Sequence, residues 1–289
     1  MNDVIQVIFN GLSAASIYAL LAVGVTLIFG LTGIVNFAQG QMMMLGAFVT
    51  WAVYQAGVSF FIALLAAVVA IATLGVVLER GLFQFTLRQP ITGFIVSLGL
   101  IPVLEIVAVD LWDTDPKSVL PPFTSVIEIG EVFILTQRLA VIVIAAAVMA
   151  ALFVVLQRSH VGRALRASAQ DREMTALLGV DTRRLIIVTF AIGSAVTGLA
   201  GALLISLFPV TPYVGGLFIF KAFAVALIGG LGSVTGAVIA AVCVGLAESF
   251  LARYVSSGWT DAYVLVLMIV ILLLRPTGIV RGTEGSAVT

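Results

Sequence analysis

The chain alternates long apolar runs with short polar connections. Nine apolar segments are read at residues 5–30, 34–55, 59–78, 91–112, 133–156, 185–208, 216–230, 233–252 and 259–275. An α-helix needs about 20 apolar residues to cross a hydrocarbon core, and most of these runs approach that length. They lack the strict two-residue alternation of transmembrane β-barrel strands. The pattern predicts an all-α fold, a polytopic transmembrane helical bundle of about 8–9 membrane segments. Segment 216–230 is short and 233–252 begins at a glycine cluster. These two either span separately or form a broken or re-entrant pair.

The longest polar interruption is residues 158–184, RSHVGRALRASAQDREMTALLGVDTRR, which holds six of the fourteen basic residues and the only histidine. Asp171 suits an N-cap and Gly179 a C′ position. The stretch between them predicts a helix of about two turns, with Met174, Leu177 and Leu178 on one face at spacing i, i+3, i+4. Two readings are open. A short amphipathic helix at a membrane surface docks into a groove on another protein, or it lies in the lipid interface with its arginines on phosphates.

Basic residues orient the chain, because cytoplasmic loops carry the excess of Lys and Arg. With the N-terminus outside, ten fall inside (Arg80, Arg88, Arg158, Arg163, Arg166, Arg172, Arg183, Arg184, Arg275, Arg281). Three fall outside (Lys117, Arg138, Arg253), and Lys221 lies within a segment. Trp51, Trp112 and Trp259 land at the outer ends, where aromatic belts sit. The C-terminus is then cytoplasmic, and 157–184 is a cytoplasmic loop. Residues 110–131 form an extracytoplasmic loop with five acids (Asp110, Asp113, Asp115, Glu128, Glu131) and one lysine. It either faces a soluble partner or serves as a solvated cover.

Composition narrows the chemistry. Of 289 residues 62% are hydrophobic and 10% charged, with mean hydropathy +1.24, where a soluble domain carries about 25% charged residues. Zero net charge gives no reason to expect a nucleic-acid partner. The single Cys243 excludes an internal disulfide framework. The first basic residue is Arg80, so no cleavable signal peptide is expected. One histidine, His160, is too few for a zinc site or a Ser-His-Asp triad. No catalytic residue and no metal site is expected. No G-x-x-x-x-G-K-[ST] loop exists, so ATP hydrolysis by that mechanism is excluded.

Polar residues at membrane depth carry the remaining information. Glu105, Lys221 and Glu248 are charged. They either snorkel or pair structurally, as Lys221 with Glu248, or meet a solute. The densest amide cluster is 30–41, GLTGIVNFAQGQ. Asn36 with Gln39 three residues on is a capping-box-like helix start. The alternative is a broken helix whose amides line a pathway. Asn36, Gln39, Gln41, Ser97 and Lys221 are the candidate pathway residues. Gly229–Ser233 is a similar break in the second half, a weak sign of internal pseudo-symmetry. Gly232 with Gly236, and Ser194 with Gly198, are small-xxx-small pairs that permit close helix packing within the chain or across a dimer.

Three stretches resemble a known family: residues 11–48, GLSAASIYALLAVGVTLIFGLTGIVNFAQGQMMMLGAF; 160–181, HVGRALRASAQDREMTALLGVD; and 221–249, KAFAVALIGGLGSVTGAVIAAVCVGLAES. The sequence is similar to the inner-membrane permease subunits of bacterial ABC importers of the branched-chain amino acid class. The likeness runs over nearly the whole chain, so residues 1–289 are expected to form a single transmembrane permease domain. Related permeases carry urea, short amides or aromatic acids, and a self-sufficient secondary transporter is the reading outside the class.

The resemblance implies that this chain has no cofactor and hydrolyses nothing itself. Two cytoplasmic ATP-binding subunits would drive it, a second permease subunit would pair with it, and a periplasmic binding protein would deliver the solute. The loop 157–184 corresponds to the family's ATPase-contacting loop. That assigns coupling to Arg163, Arg166, Asp171, Met174, Leu177, Leu178 and Gly179. The acidic-Ala-Ala consensus of many such permeases is not literal here: the sequence reads Ala167-Ser168-Ala169-Gln170-Asp171. On this reading helix 172–178 runs rigidly through Arg183 and Arg184 into the sixth segment, and solute moves by alternating access.

Overall fold

The computed structural model describes residues 2–129, 132–275 and 278–280. Glu131 and Arg281, used above for loop charge, lie outside the described residues. Among those described, the chain opens with helices α1 (Asn2–Thr32), α2 (Gln39–Gln55), α3 (Phe60–Gly81), α4 (Pro90–Trp112), then α5 (Thr136–Arg158). Two short helices follow, α6 (His160–Gln170) and α7 (Arg172–Leu177). The chain continues with α8 (Thr182–Leu204), α9 (Val214–Gly229), α10 (Val234–Tyr254) and α11 (Thr260–Leu274). Six of them, α1, α3, α4, α5, α8 and α10, are long and apolar enough to cross a membrane. Helices α2, α9 and α11 are shorter, at 17, 16 and 15 residues.

The fold is a helical bundle with one small departure. Strands β1 (Val126–Ile129) and β2 (Val132–Leu135) form an antiparallel hairpin, Val126 opposite Leu135 and Ile129 opposite Val132. The fifth segment was expected from 133, but its first residues are β2 and the helix begins at Thr136. The run VFIL is apolar enough to extend a membrane segment, yet its β-branched and aromatic residues suit a strand.

Burial sorts the helices into two shells. The most apolar windows of α1 and α8 are 78% and 72% buried, against 22% for α4 and 17% for α5. The outer helices present Ile62, Leu65, Ile106, Leu111 and Val143, as helices bathed in lipid do. The inner helices meet through small residues, because without water between them association depends on close packing. A Cβ on Gly46 would lie 2.6 Å from the carbonyl of Gly198, and one on Gly198 2.7 Å from Cβ of Ile71. Ser194 lies against Gly75. The Ser194/Gly198 pair therefore packs α8 against α2 and α3 within the chain.

The Gly232/Gly236 pair works differently from a helix stripe. Gly232 has φ +86° and sits in the turn between α9 and α10, where its Cα abuts Gly30 at the end of α1. Gly236 packs on the carbonyl of Gly229. The motif closes a hairpin, and the two glycine breaks of the chain touch each other at this end of the bundle.

Basic residues separate toward the two ends of the bundle. Arg253 pairs with Asp3 at 3.1 Å, Arg138 bonds Asn10, and Lys117 lies over the Trp51 ring at 5.2 Å, all at the N-terminal end. Arg183 bonds Gln84 at 2.6 Å at the other.

Gly201 tests the packing argument. A Cβ there would overlap the carbonyl of Met43, whereas one on Gly99 meets nothing within 4 Å. Gly201→Ala is expected to destabilise by about 1–3 kcal/mol through overpacking, read as a lower unfolding midpoint in detergent. Gly99→Ala should leave the midpoint at or above wild type. Equal midpoints for the two variants would contradict the close approach of α2 and α8.

Candidate functional site

Four of the five predicted pathway residues converge where α1 gives way to α2. Helix α1 ends at Thr32, Gly33 takes φ +68°, and residues 33–38 leave the helix before α2 starts at Gln39. Irregular backbone at membrane depth survives only when protein satisfies it. Here Ser97 of α4 accepts the Phe37 N–H at 3.1 Å and donates to the Phe94 carbonyl at 2.7 Å. The Thr32 hydroxyl accepts the Ile34 N–H at 3.2 Å. Phe37 is held by Phe94, Phe220 and Phe223, with ring centroids 5.2–5.7 Å away.

The capping-box reading does not survive. Asn36 Oδ1 accepts the N–H of Ala38 at 3.1 Å, a local Asx turn, and the N-cap position of α2 is Ala38. Gln39 does not reach back: its Nε2 donates to Thr197 Oγ1 on α8 at 3.0 Å. Gln41 Nε2 donates to Glu105 Oε1 on α4 at 2.7 Å. Asn36, Gln39, Gln41 and Ser97 are all essentially buried, at 0–2% exposure. Asn36 Nδ2, Gln39 Oε1 and Gln41 Oε1 have no hydrogen-bond partner among the described residues. Leaving such a group unmet costs about 1–3 kcal/mol, so three beside one helix break mark a place that tolerates strain.

Lys221 stands apart from this cluster. Phe220 and Phe223 of α9 face Phe37, while Lys221 turns to α1 and α10. Its Nζ lies 2.8 Å from Glu248 Oε1 and 3.3 Å from the Tyr18 hydroxyl.

The polar loop forms the end of the bundle opposite the N-terminus. Ser159 caps α6, a helix not foreseen from the sequence, by accepting the Gly162 N–H at 2.9 Å. Arg166 donates to the carbonyls of Leu156 and Gln157, and Arg163 to that of Arg158 at 3.2 Å. Both arginines thus close the C-terminus of α5, where cations complement the helix dipole. Asp171 caps α7 by accepting the Met174 N–H at 2.9 Å. Gly179, with φ +86°, ends it, and the Val180 N–H returns to the Thr175 carbonyl at 3.4 Å. Met174, Leu177 and Leu178 are 55%, 81% and 79% exposed. Rigid continuity of α7 into the sixth membrane segment is not observed. A turn at 178–181 intervenes, and α8 begins afresh with Asp181 accepting the Arg184 N–H at 3.1 Å.

Two features escaped the sequence reading. A cavity of about 280 Å³ lies between α1, α5, α6, α8 and α10, lined in part by Thr26, Arg166, Thr189 and Thr235. Glu79 on α3 is 1% exposed, and neither carboxylate oxygen accepts a hydrogen bond among the described residues. Three threonines from three helices carry no shared motif, and Glu79 precedes Arg80 as any loop-flanking acid would.

Residues 7–274 match the family described as branched-chain amino acid transport system / permease component. The chain belongs to that permease family. It is 33% identical to the high-affinity branched-chain amino acid transport system permease protein LivH of Escherichia coli, over 98% of this chain and 97% of the relative. LivH of Salmonella typhimurium is 31% identical with the same coverage. BraD of Pseudomonas aeruginosa is 31% identical, covering 98% of each. The family is one of multi-pass membrane transport subunits. The buried amide segment, the Lys221 pair and α7 all fall within the permease match.

Asn36 separates a turn role from a pathway role. Asn36→Ser keeps an acceptor for the Ala38 N–H and removes the Nδ2 donor. Both Asn36→Ser and Asn36→Leu are expected to lower flux several-fold, about 1 kcal/mol or more per lost contact, with assembly intact. Wild-type flux in Asn36→Ser would leave Asn36 a turn residue only.

Proposed function

We propose that this permease moves branched-chain amino acids, or closely similar small polar solutes, inward by alternating access in an ATP-driven importer. The reading is supported by near full-length similarity to branched-chain amino acid permeases. Urea, short amides, aromatic acids and ion-coupled carriage find no support in those relatives. ATP is bound and hydrolysed by two separate cytoplasmic subunits, a second permease subunit completes the membrane part, and a periplasmic binding protein delivers solute. The N-terminus is outside, the loop 110–131 faces the delivering protein, and the C-terminus and loop 157–184 are cytoplasmic in the plasma membrane.

One observation carries the coupling assignment. A six-residue helix and the C-cap residue after it display Met174, Leu177 and Leu178 to solvent at the most basic end of the molecule. An apolar trio of this kind, on a helix capped at both ends by Asp171 and Gly179, is a docking face for the ATPase. Arg163 and Arg166 act by fixing α6 to the end of α5. Asn36, Gln39, Gln41 and Ser97 line the pathway, with Lys221 on the outer side.

Leu177→Asp is expected to leave insertion and permease pairing intact and to abolish solute-stimulated ATP hydrolysis in the assembled complex. Normal stimulation in that variant would remove the docking role and favour a helix lying in the lipid interface. Orientation has its own check in a Cys243→Ser background. A membrane-impermeant thiol reagent applied to intact cells should label Asp115→Cys and spare Glu173→Cys. The reverse pattern would invert the topology.

A further inference from the structure

The Lys221–Glu248 pair sits beside a cavity whose walls fit the rest of a solute. The cavity, of about 300 Å³, lies under the connection from α8 to α9 and is lined by Ile17, Tyr18, Leu204, Phe208, Phe218 and Glu248, among others. Its volume is at the lower end of the range for small-molecule pockets, about 300–1,000 Å³. The two charged side chains are 15% and 12% exposed. Glu248 Oε1 holds Lys221, while Oε2 has no hydrogen-bond partner among the described residues. Tyr18 packs on Phe218 with ring centroids 5.9 Å apart.

A largely buried ion pair is weak evidence for stability, because a well-packed apolar pair of similar volume often does as well. Its geometry matches one class of ligand. A zwitterion carries opposite charges a few bonds apart. Its carboxylate can take Lys221 and its ammonium Glu248, so one ion pair becomes two and no uncompensated charge enters the membrane. A solute with only one of the two charges leaves a partner unmatched. The remaining walls are apolar and aromatic, suited to a hydrocarbon side chain.

We infer that this cavity is the outer solute site, where Lys221 and Glu248 exchange their mutual ion pair for the carboxylate and ammonium of an apolar α-amino acid. This rests on the proposed transport of branched-chain amino acids and assigns it a place separate from the buried amides at Asn36.

The test uses the assembled complex in a Cys243→Ser background with Val214→Cys, a position lining the same cavity. Leucine is expected to slow thiol labelling of that cysteine about tenfold, while its 2-oxo acid analogue, lacking the ammonium, does not. Glu248→Gln should abolish the protection and lower leucine uptake about tenfold or more, the loss of one charged hydrogen bond. The double variant Lys221→Met/Glu248→Met removes the buried charges, and should assemble like wild type yet remain defective in uptake. Wild-type uptake in the double variant, or full protection in Glu248→Gln, would make the pair structural and overturn the assignment alone. Absence of both leucine uptake and leucine protection in the parent complex would overturn it together with the transport reading.

Discussion

The constraint on which this structure rests is that backbone polar groups inside a bilayer must be satisfied by protein. The chain departs from helix at that depth between Gly33 and Ala38. The departure is held by the Ser97 hydroxyl of α4, by its own Asn36 carboxamide, and by the Thr32 hydroxyl at the end of α1, which itself donates to the Ile28 carbonyl at 2.7 Å. A run of 34–55 that is apolar enough to span becomes instead a non-helical entry followed by a 17-residue helix. Helix α2 is about 25 Å long.

Close packing follows from the same constraint. An internal helix carrying Gln39 and Gln41 must be enclosed on all sides, so its neighbours approach to backbone contact. Gly40 meets Gly215, Gly46 meets Gly198, and Met43 meets Gly201. Each approach removes a Cβ that would hold the helices apart. The price of this enclosure is that few positions on α2 accept a larger side chain, whereas α4 and α5, facing outward, carry long apolar ones freely.

Legibility in the sequence divided along the range of the interactions. The helices follow from local composition, and most of their boundaries were read closely because Gly, Pro, Trp and Asp mark them, the start of α2 excepted. Asp171 and Gly179 bracket α7 because caps are local chemistry. Helix α6 was missed since Val161 and Leu165 are its only large apolar residues and its two arginines find their partners in α5 carbonyls. The Gln39–Thr197 and Gln41–Glu105 bonds join residues 158 and 64 positions apart, and no local pattern encodes them. Gln39 was read as a capping partner of Asn36 because spacing sees only neighbours. A Lys221–Glu248 pair was one of the readings left open, because charges in an apolar chain are few, and the structure joins the two at 2.8 Å.

The separation of α7 from α8 by a turn changes how movement at the α6–α7 end of the bundle reaches the buried amides. A rigidly continuous helix would transmit any displacement of α7 directly. Instead α7 packs on α6 and α8, and α6 is tied to α5 through Arg163 and Arg166. Helix α8 is the element that touches α7 at one end and, at Thr197, the buried Gln39 at depth. On the proposed docking, a partner bound to Met174, Leu177 and Leu178 would act on the bundle through packing of α7 against α8 and through the α5–α6 corner together. A partner shifts a conformational equilibrium only by its differential affinity for the two states. In the proposed importer the exposed trio would supply that affinity, and the Gly179 turn would supply a joint where two angles between α7 and α8 can differ without breaking either helix.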